Sequence, residues 1–209
     1  MSSDLKAKYA ELYEKVLTPT ASLLESLLRS YSDGLPHIDR VAARAKRPES
    51  FLKKASKTEE NGTVRYTEPL VQIQDLIGAR VIVFYSSDIA AAIRRVTKYF
   101  QPIEQQDVVP DSEWTFGYFG RHFILKLPAD AVPPEIPIGT APTFFELQIK
   151  TLFQHAWSEA EHDLGYKAPE ALTHDQLRYL AFTSAQAWGA DDVFQRLARD
   201  LLPHDAHGG

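Results

Sequence analysis

The sequence predicts an α/β (α+β) fold, a single mixed β-sheet flanked by helices. Three observations predict it. Segments with helical periodicity interleave with short segments that alternate or are rich in valine and isoleucine. No internal repeat or low-complexity tract interrupts them. The chain has 209 residues, 44% of them hydrophobic, which suits one ordinary core with at most a small helical appendage.

The elements follow in order. Asp4 to Tyr31 reads as helix, with Leu5, Tyr9, Leu12 and Val16 and then Leu23, Leu24, Leu27, Leu28 and Tyr31 at helical spacing. Pro19 stands between the two groups and should break or kink the helix. Asp33-Gly34 closes the segment as a turn. Ile38 to Lys46 reads as a strand, and Pro48 opens a short helix through Lys54, since proline suits a first turn. Glu59 to Gly62 is a polar loop, and Ala79 to Tyr85 is a valine- and isoleucine-rich strand. Ser86-Ser87-Asp88 offers capping side chains for a helix running to Phe100. Tyr118 to Leu127 is a further strand. Pro128, Pro133, Pro134, Pro137 and Pro142 then enforce an irregular loop. Phe144 to Thr151 is a strand, followed by helices near 152–164 and 173–201. The expected organisation is one domain over 1–209. It comprises a helical segment at 1–34, a core at 35–168, a C-terminal helix at 169–203 and a frayed tail at 204–209.

Composition narrows the function classes. The net charge of −5 disfavours a protein whose business is the nucleic-acid backbone, so phosphate binding would need a local basic cluster. Cysteine is absent, which rules out disulfides, thiolate metal sites and a cysteine nucleophile. The first residues carry no apolar run of a signal peptide, and no stretch reaches the length of a membrane span. The expectation is a cytoplasmic protein with no membrane partner.

Four constellations could carry chemistry. The segment from Arg40 to Lys57 holds seven basic residues (Arg40, Arg44, Lys46, Arg47, Lys53, Lys54, Lys57) against Glu49. Strand alternation puts Arg44 and Lys46 on one face, and Ser50 and Lys54 share a helix face, so four polar groups can converge on a polyphosphate. On charge alone, a solvated strand edge accounts for the cluster better. Asp75 lies just before a buried-looking strand that carries Arg80 near its start. Carboxylates so placed can hold magnesium, although an exposed loop aspartate beside a paired arginine is the simpler account. In Phe144 to Thr151, Phe145, Leu147 and Ile149 take one face and Glu146, Gln148 and Lys150 the other, so that the polar face lines a cleft or meets solvent. Gly117 to His122 offers the Tyr118 ring and the His122 imidazole, or else a core tyrosine and a hydrogen-bonded histidine. His155, Glu159 and His162 have a metal-like spacing on one helix, but support of the cleft explains them better. Three His-Asp pairs, at 162, 174 and 204, lack the further ligands that a metal phosphohydrolase needs. Walker-type, dinucleotide-type and zinc-protease motifs are absent.

The order and spacing of these blocks are more specific than any one of them. Arg44-Ala-Lys46 through Ser50 to Lys54, Asp75-Leu-Ile-Gly-Ala-Arg80, Gly117-Tyr118 through His122, Glu146-Leu-Gln148-Ile-Lys150-Thr151 and Ala156-Trp157 through Tyr166-Lys167 succeed one another. The set resembles the synthetase domain of the RelA/SpoT-homologue alarmone synthetases over roughly 35–168, in a single-domain form without hydrolase or regulatory domains. The resemblance implies a nucleotidyltransferase-like synthetase fold. It implies transfer of the β,γ-pyrophosphate of ATP to the 3′-hydroxyl of GDP or GTP, giving (p)ppGpp, with Mg2+ as cofactor. It further implies that Asp75 and Glu146 hold magnesium and that Glu146 helps deprotonate the attacking hydroxyl. Arg44 and Arg80 would sandwich the adenine, and Lys46, Ser50 and Lys54 would meet the ATP phosphates. Tyr118 would stack on the acceptor base, His122 would touch its phosphates, and Gln148 and Lys150 would complete the acceptor side.

Some positions depart from the family pattern. Glu104 to Trp114 carries Glu104, Asp107, Asp111 and Glu113 without a basic residue, where relatives often carry lysine and arginine. Gly120 stands where serine is usual, and Lys150 where arginine is usual, which forfeits fork geometry. The donor half is intact and the acceptor is left open between a guanine nucleotide, an adenine nucleotide and the 3′ end of tRNA, as in toxin-type relatives. A catalytically silent nucleotide-binding module, a homo-oligomer and an antitoxin partner are also left open. Tyr179, Phe182, Trp188 and Phe194 in the last helix are either core or an assembly face.

Overall fold

A computed structural model describes residues 3–107, 117, 118, 120–137, 139–167 and 171–202. Among the described residues five strands form one mixed sheet: β1 (Ile38–Ala45), β2 (Ile77–Val83), β3 (Pro102–Asp107), β4 (Arg121–Lys126) and β5 (Phe144–Thr151). Their order across the sheet is β1-β2-β5-β4-β3. Only the β2–β5 pair is parallel. The helices are α1 (Ser3–Leu12), α2 (Thr18–Ser32), α3 (Pro48–Ala55), α4 (Pro69–Gln72), α5 (Ser86–Tyr99), α6 (Leu152–Lys167) and α7 (His174–Leu201).

Alternation separates the two faces of the sheet. Val41, Ala79, Val81, Phe123, Leu125, Phe145, Leu147 and Ile149 are buried and pack with Leu24 and Leu28 of α2 and Ala92 and Val96 of α5 in one core. The register rows define the other face. Ala42, Arg80, Gln148 and His122 lie in one row, and Arg44, Gly78, Glu146, Ile124 and Glu104 in the next. Laterally paired residues point the same way, so charged and amide side chains from four strands share one surface. Helix α6 covers part of that surface, and α7 packs on α6.

Four expectations change. Pro19 does not break the first helix. Tyr13–Leu17 forms a π turn, closed by Thr18 N–H on the Tyr13 carbonyl, and α2 starts directly after it with Pro19 in its first turn. The wider turn accommodates the missing donor and the bulk of the proline ring. The N-cap position of α5 is taken by Tyr85, whose side chain makes no cap bond. Instead Gln195 of α7 accepts from the Ser87 N–H at 2.7 Å and the Ser86 hydroxyl at 3.0 Å. Strand β3 overlaps the start of the acidic Glu104 to Trp114 stretch, where no strand was expected. Finally, Tyr179, Phe182, Trp188 and Phe194 are 70%, 61%, 52% and 48% exposed, so they are not core of this chain. Asp111, Glu113, Phe119 and the 204–209 tail lie outside the described residues.

Candidate active site

The polar face of the sheet gathers most of the residues singled out above. Arg44 is the penultimate residue of β1 and Arg80 sits on β2, in adjacent register rows. The β1 ladder continues one step through Lys46 N–H on the Leu76 carbonyl at 2.8 Å, which brings Lys46 beside Asp75. Lys46 Nζ is 2.7 Å from Asp75 Oδ2, and Lys54 Nζ of α3 is 3.0 Å from Asp75 Oδ1. Ser50 stands one helical turn before Lys54. The turn between β1 and α3 is held from below. Tyr9 of α1 is fully buried, stacks on Phe51 at 3.7 Å and donates its hydroxyl to the Lys46 carbonyl at 2.7 Å. Sequence reading placed Tyr9 only on the apolar face of a helix, because nothing local marks a partner 37 residues away.

Glu146 lies across from Gly78 in the parallel pair, close to the Asp75 end of β2. His122 Nδ1 is 3.2 Å from Glu146 Oε1, and Gln148 Nε2 donates to Glu146 Oε2 at 3.3 Å. Burial pushes the Glu146 carboxyl up. The hydrogen bond and charge of His122 outweigh that, with help from Gln148 and against the charge of Asp75, so its pKa falls. Asp75 follows the same logic. Burial raises it, and the charges and hydrogen bonds of Lys46 and Lys54 bring it below the usual carboxylate range. Both acids are therefore anions at neutral pH, and Glu146 feels the charge of Asp75. His122 Nε2 is buried without a hydrogen-bond partner among the described residues.

The remaining positions are more constrained than their sequence suggests. Arg80 is paired with Glu159 of α6 at 3.1 Å, which fits cleft support by that helix. Among the described residues no three acid, histidine or cysteine side chains group as a metal site, so His155, Glu159 and His162 are not one. Lys150 is buried beneath α6, its ammonium donating to Ser158 Oγ at 2.9 Å, and burial pulls its pKa down. Tyr118 precedes β4, and its hydroxyl donates to Asp191 Oδ2 of α7 at 2.6 Å. Burial, the hydrogen bond and the carboxylate charge together push the phenol strongly up. Asp191 was missed in sequence; it lies 73 residues from Tyr118, in a helix read only for its aromatics.

Comparison with known proteins bears on this arrangement. The model for the region found in RelA / SpoT proteins matches residues 43–171. GTP pyrophosphokinase YjbM of Bacillus subtilis (strain 168) is 28% identical over 169 residues, covering 74% of each chain. The crystal structure of small alarmone synthetase 1 from Bacillus subtilis superposes with a TM-score of 0.72 at 20% identity, covering 95% of this chain and 98% of that one. The structure of that synthetase bound to its product pppGpp gives 0.71 at 20% identity, over 96% and 100%. The structural likeness extends the shared fold beyond the matched region to nearly the whole chain.

Proposed function

The chain belongs to the RelA/SpoT family, and on that premise we propose that it is a nucleotide pyrophosphokinase that moves the β,γ-pyrophosphate of ATP to the 3′-hydroxyl of GDP or GTP. The observation that carries the reading is the pair of anionic carboxylates at one end of β2 and β5. Asp75 lies between two lysines, and Glu146 between His122 and Gln148.

Phosphoryl-type transfer needs alignment and neutralised charge more than covalent help. Lys46 and Lys54 provide cations on flexible stems. These can exchange the Asp75 carboxylate for the donor's phosphate oxygens. Arg44 and Arg80 present guanidinium planes suited to stacking on adenine. Asp75 and Glu146 fit Mg2+: both are hard oxygen donors kept ionised, and magnesium commonly takes one or two carboxylates and completes its shell with water and substrate phosphates. Bound there, the ion would neutralise phosphate charge and lower the cost of charge on the attacking oxygen.

The acceptor is expected on the His122 side. The 3′-oxygen attacks the β-phosphorus of ATP as its proton passes to the Glu146 carboxylate. The bond from the β-phosphorus to the α,β-bridging oxygen breaks, and AMP leaves. His122 and Gln148, both on Glu146, fix the carboxylate for that role. The guanine acceptor is favoured by the family premise and by the name of the relative YjbM. Purified protein with magnesium and γ-labelled ATP, offered GDP, GTP, AMP, ADP or bulk tRNA separately, tests it. Label on a guanine nucleotide is the expected product. Label only on tRNA or an adenine nucleotide would refute the acceptor, and no transfer to any of them would refute the enzyme.

A further inference from the structure

Helix α7 lies outside the 43–171 match, yet one of its carboxylates reaches the end of the central strand β5 and the hydroxyl of Tyr118. Asp191 is 2% exposed. Its Oδ2 accepts hydrogen bonds from the hydroxyls of Tyr118 and Thr151. Its Oδ1 is buried with no hydrogen-bond partner among the described residues.

The two hydroxyls differ in how they are otherwise held. Thr151 is a fixed point. It ends β5 opposite Val83, and it caps α6 by exchanging bonds with Gln154, each residue's side chain accepting from the other's backbone N–H. Tyr118 lies before the β4 ladder, whose pairing with β5 begins at Arg121. No strand register therefore sets the place of its ring. Asp191 itself is well anchored, because Gln195 one turn further along α7 is bonded to the start of α5. A rigid carboxylate thus ties a residue outside the ladder to the end of the central strand.

We propose that Asp191 is a positioning residue of the acceptor subsite: by holding the Tyr118 hydroxyl it fixes the plane of the ring on which a nucleotide base stacks, and so makes α7 part of acceptor recognition. This rests on the acceptor role given to Tyr118 above. With the hydroxyl edge tied down, only the ring's faces remain to meet a planar base, and a preset plane spares the ordering cost on binding.

The test is equilibrium binding of a fluorescent guanine nucleotide, with binding of a non-hydrolysable ATP analogue as the second readout. Tyr118→Phe and Asp191→Leu should each weaken guanine-nucleotide binding by roughly five- to tenfold and leave the ATP analogue unaffected. The double variant should be no worse than either single one, because both remove the same bond. Asp191→Asn, which keeps an acceptor oxygen, should retain most of the affinity. If Asp191→Leu does not fold, Tyr118→Phe decides alone, since it deletes only the hydroxyl. Wild-type binding by Tyr118→Phe with weakened binding by Tyr118→Ala, or losses that multiply in the double variant, would overturn the proposal and spare the acceptor reading. Wild-type binding by Tyr118→Ala would overturn both.

Discussion

Gly120 should not tolerate a side chain, although serine is usual at this place in the family it resembles. A Cβ built on Gly120 would lie 2.5 Å from the Ile149 carbonyl oxygen and inside the contact distance of Lys150 Cγ. The lysine stem could move, but the carbonyl belongs to the central strand β5, and Ile149 pairs with Arg121 directly after the glycine. Relief therefore requires the start of β4 to lift from β5. Overpacking of this kind costs about 1–3 kcal/mol. At this chain length each kcal/mol lowers Tm by about 2–4 °C. Gly120→Ala and Gly120→Ser should both show that loss in urea and thermal unfolding. Lys150→Ala in the same chain should not restore it, since the carbonyl clash remains. Because Tyr118 and His122 flank the glycine two residues to either side, both variants should also raise the acceptor KM more than the ATP KM. Wild-type stability in Gly120→Ala, or full rescue by Lys150→Ala, would refute the claim that the backbone of β5 is the obstacle.

Three further outcomes follow from the site. Glu146→Gln should lower kcat by roughly 10²–10⁴ if the carboxylate takes the proton, with a near-native circular dichroism spectrum; retained turnover would remove Glu146 from the chemistry. Asp75 is held below its unfolded pKa, so its pairing with Lys46 and Lys54 stabilises the fold above the usual carboxylate range and is lost as pH falls through the lower folded value. Asp75→Asn should accordingly be less stable than wild type at pH 7, by about 1–3 kcal/mol, and the gap should close as pH falls below the ordinary carboxylate range; a gap that stays constant in urea unfolding as the pH is lowered would count against the ion pairs. Tyr9→Phe deletes the bond to the Lys46 carbonyl and should cost about 1–2 kcal/mol while raising the KM for ATP and not that for the acceptor, which steady-state kinetics at saturating co-substrate would separate.

Much of this molecule was legible in its sequence, for a local reason. The strict alternation of 144–151 allowed only one partition into a buried face and a polar face, and Glu146, Gln148 and Lys150 are on the polar one. Proline at Pro48 and the valine and isoleucine run before Tyr85 marked α3 and β2 because steric preference and side-chain period act within a few residues. The spacing of basic, acidic and aromatic blocks was enough for the resemblance that names the family. Strand β3 was not legible. Its residues, Pro-Ile-Glu-Gln-Gln-Asp, carry no apolar alternation, since an edge strand is held by backbone pairing to β4. The π turn before Pro19 depends on how a whole helix beds on the core.

What only the tertiary structure decided is which polar groups meet. Asp75 with Lys46 and Lys54, Glu146 with His122, Lys150 with Ser158 and Tyr118 with Asp191 are pairs made by strand order and helix packing. Periodicity assigns a side chain to a face; it carries no information about a partner tens of residues away. The sequence by itself therefore determined the fold class, the polar face and the residues available for chemistry. The open sheet and its covering helices determined which of them are ionised, which are tied down, and that the last helix reaches Tyr118.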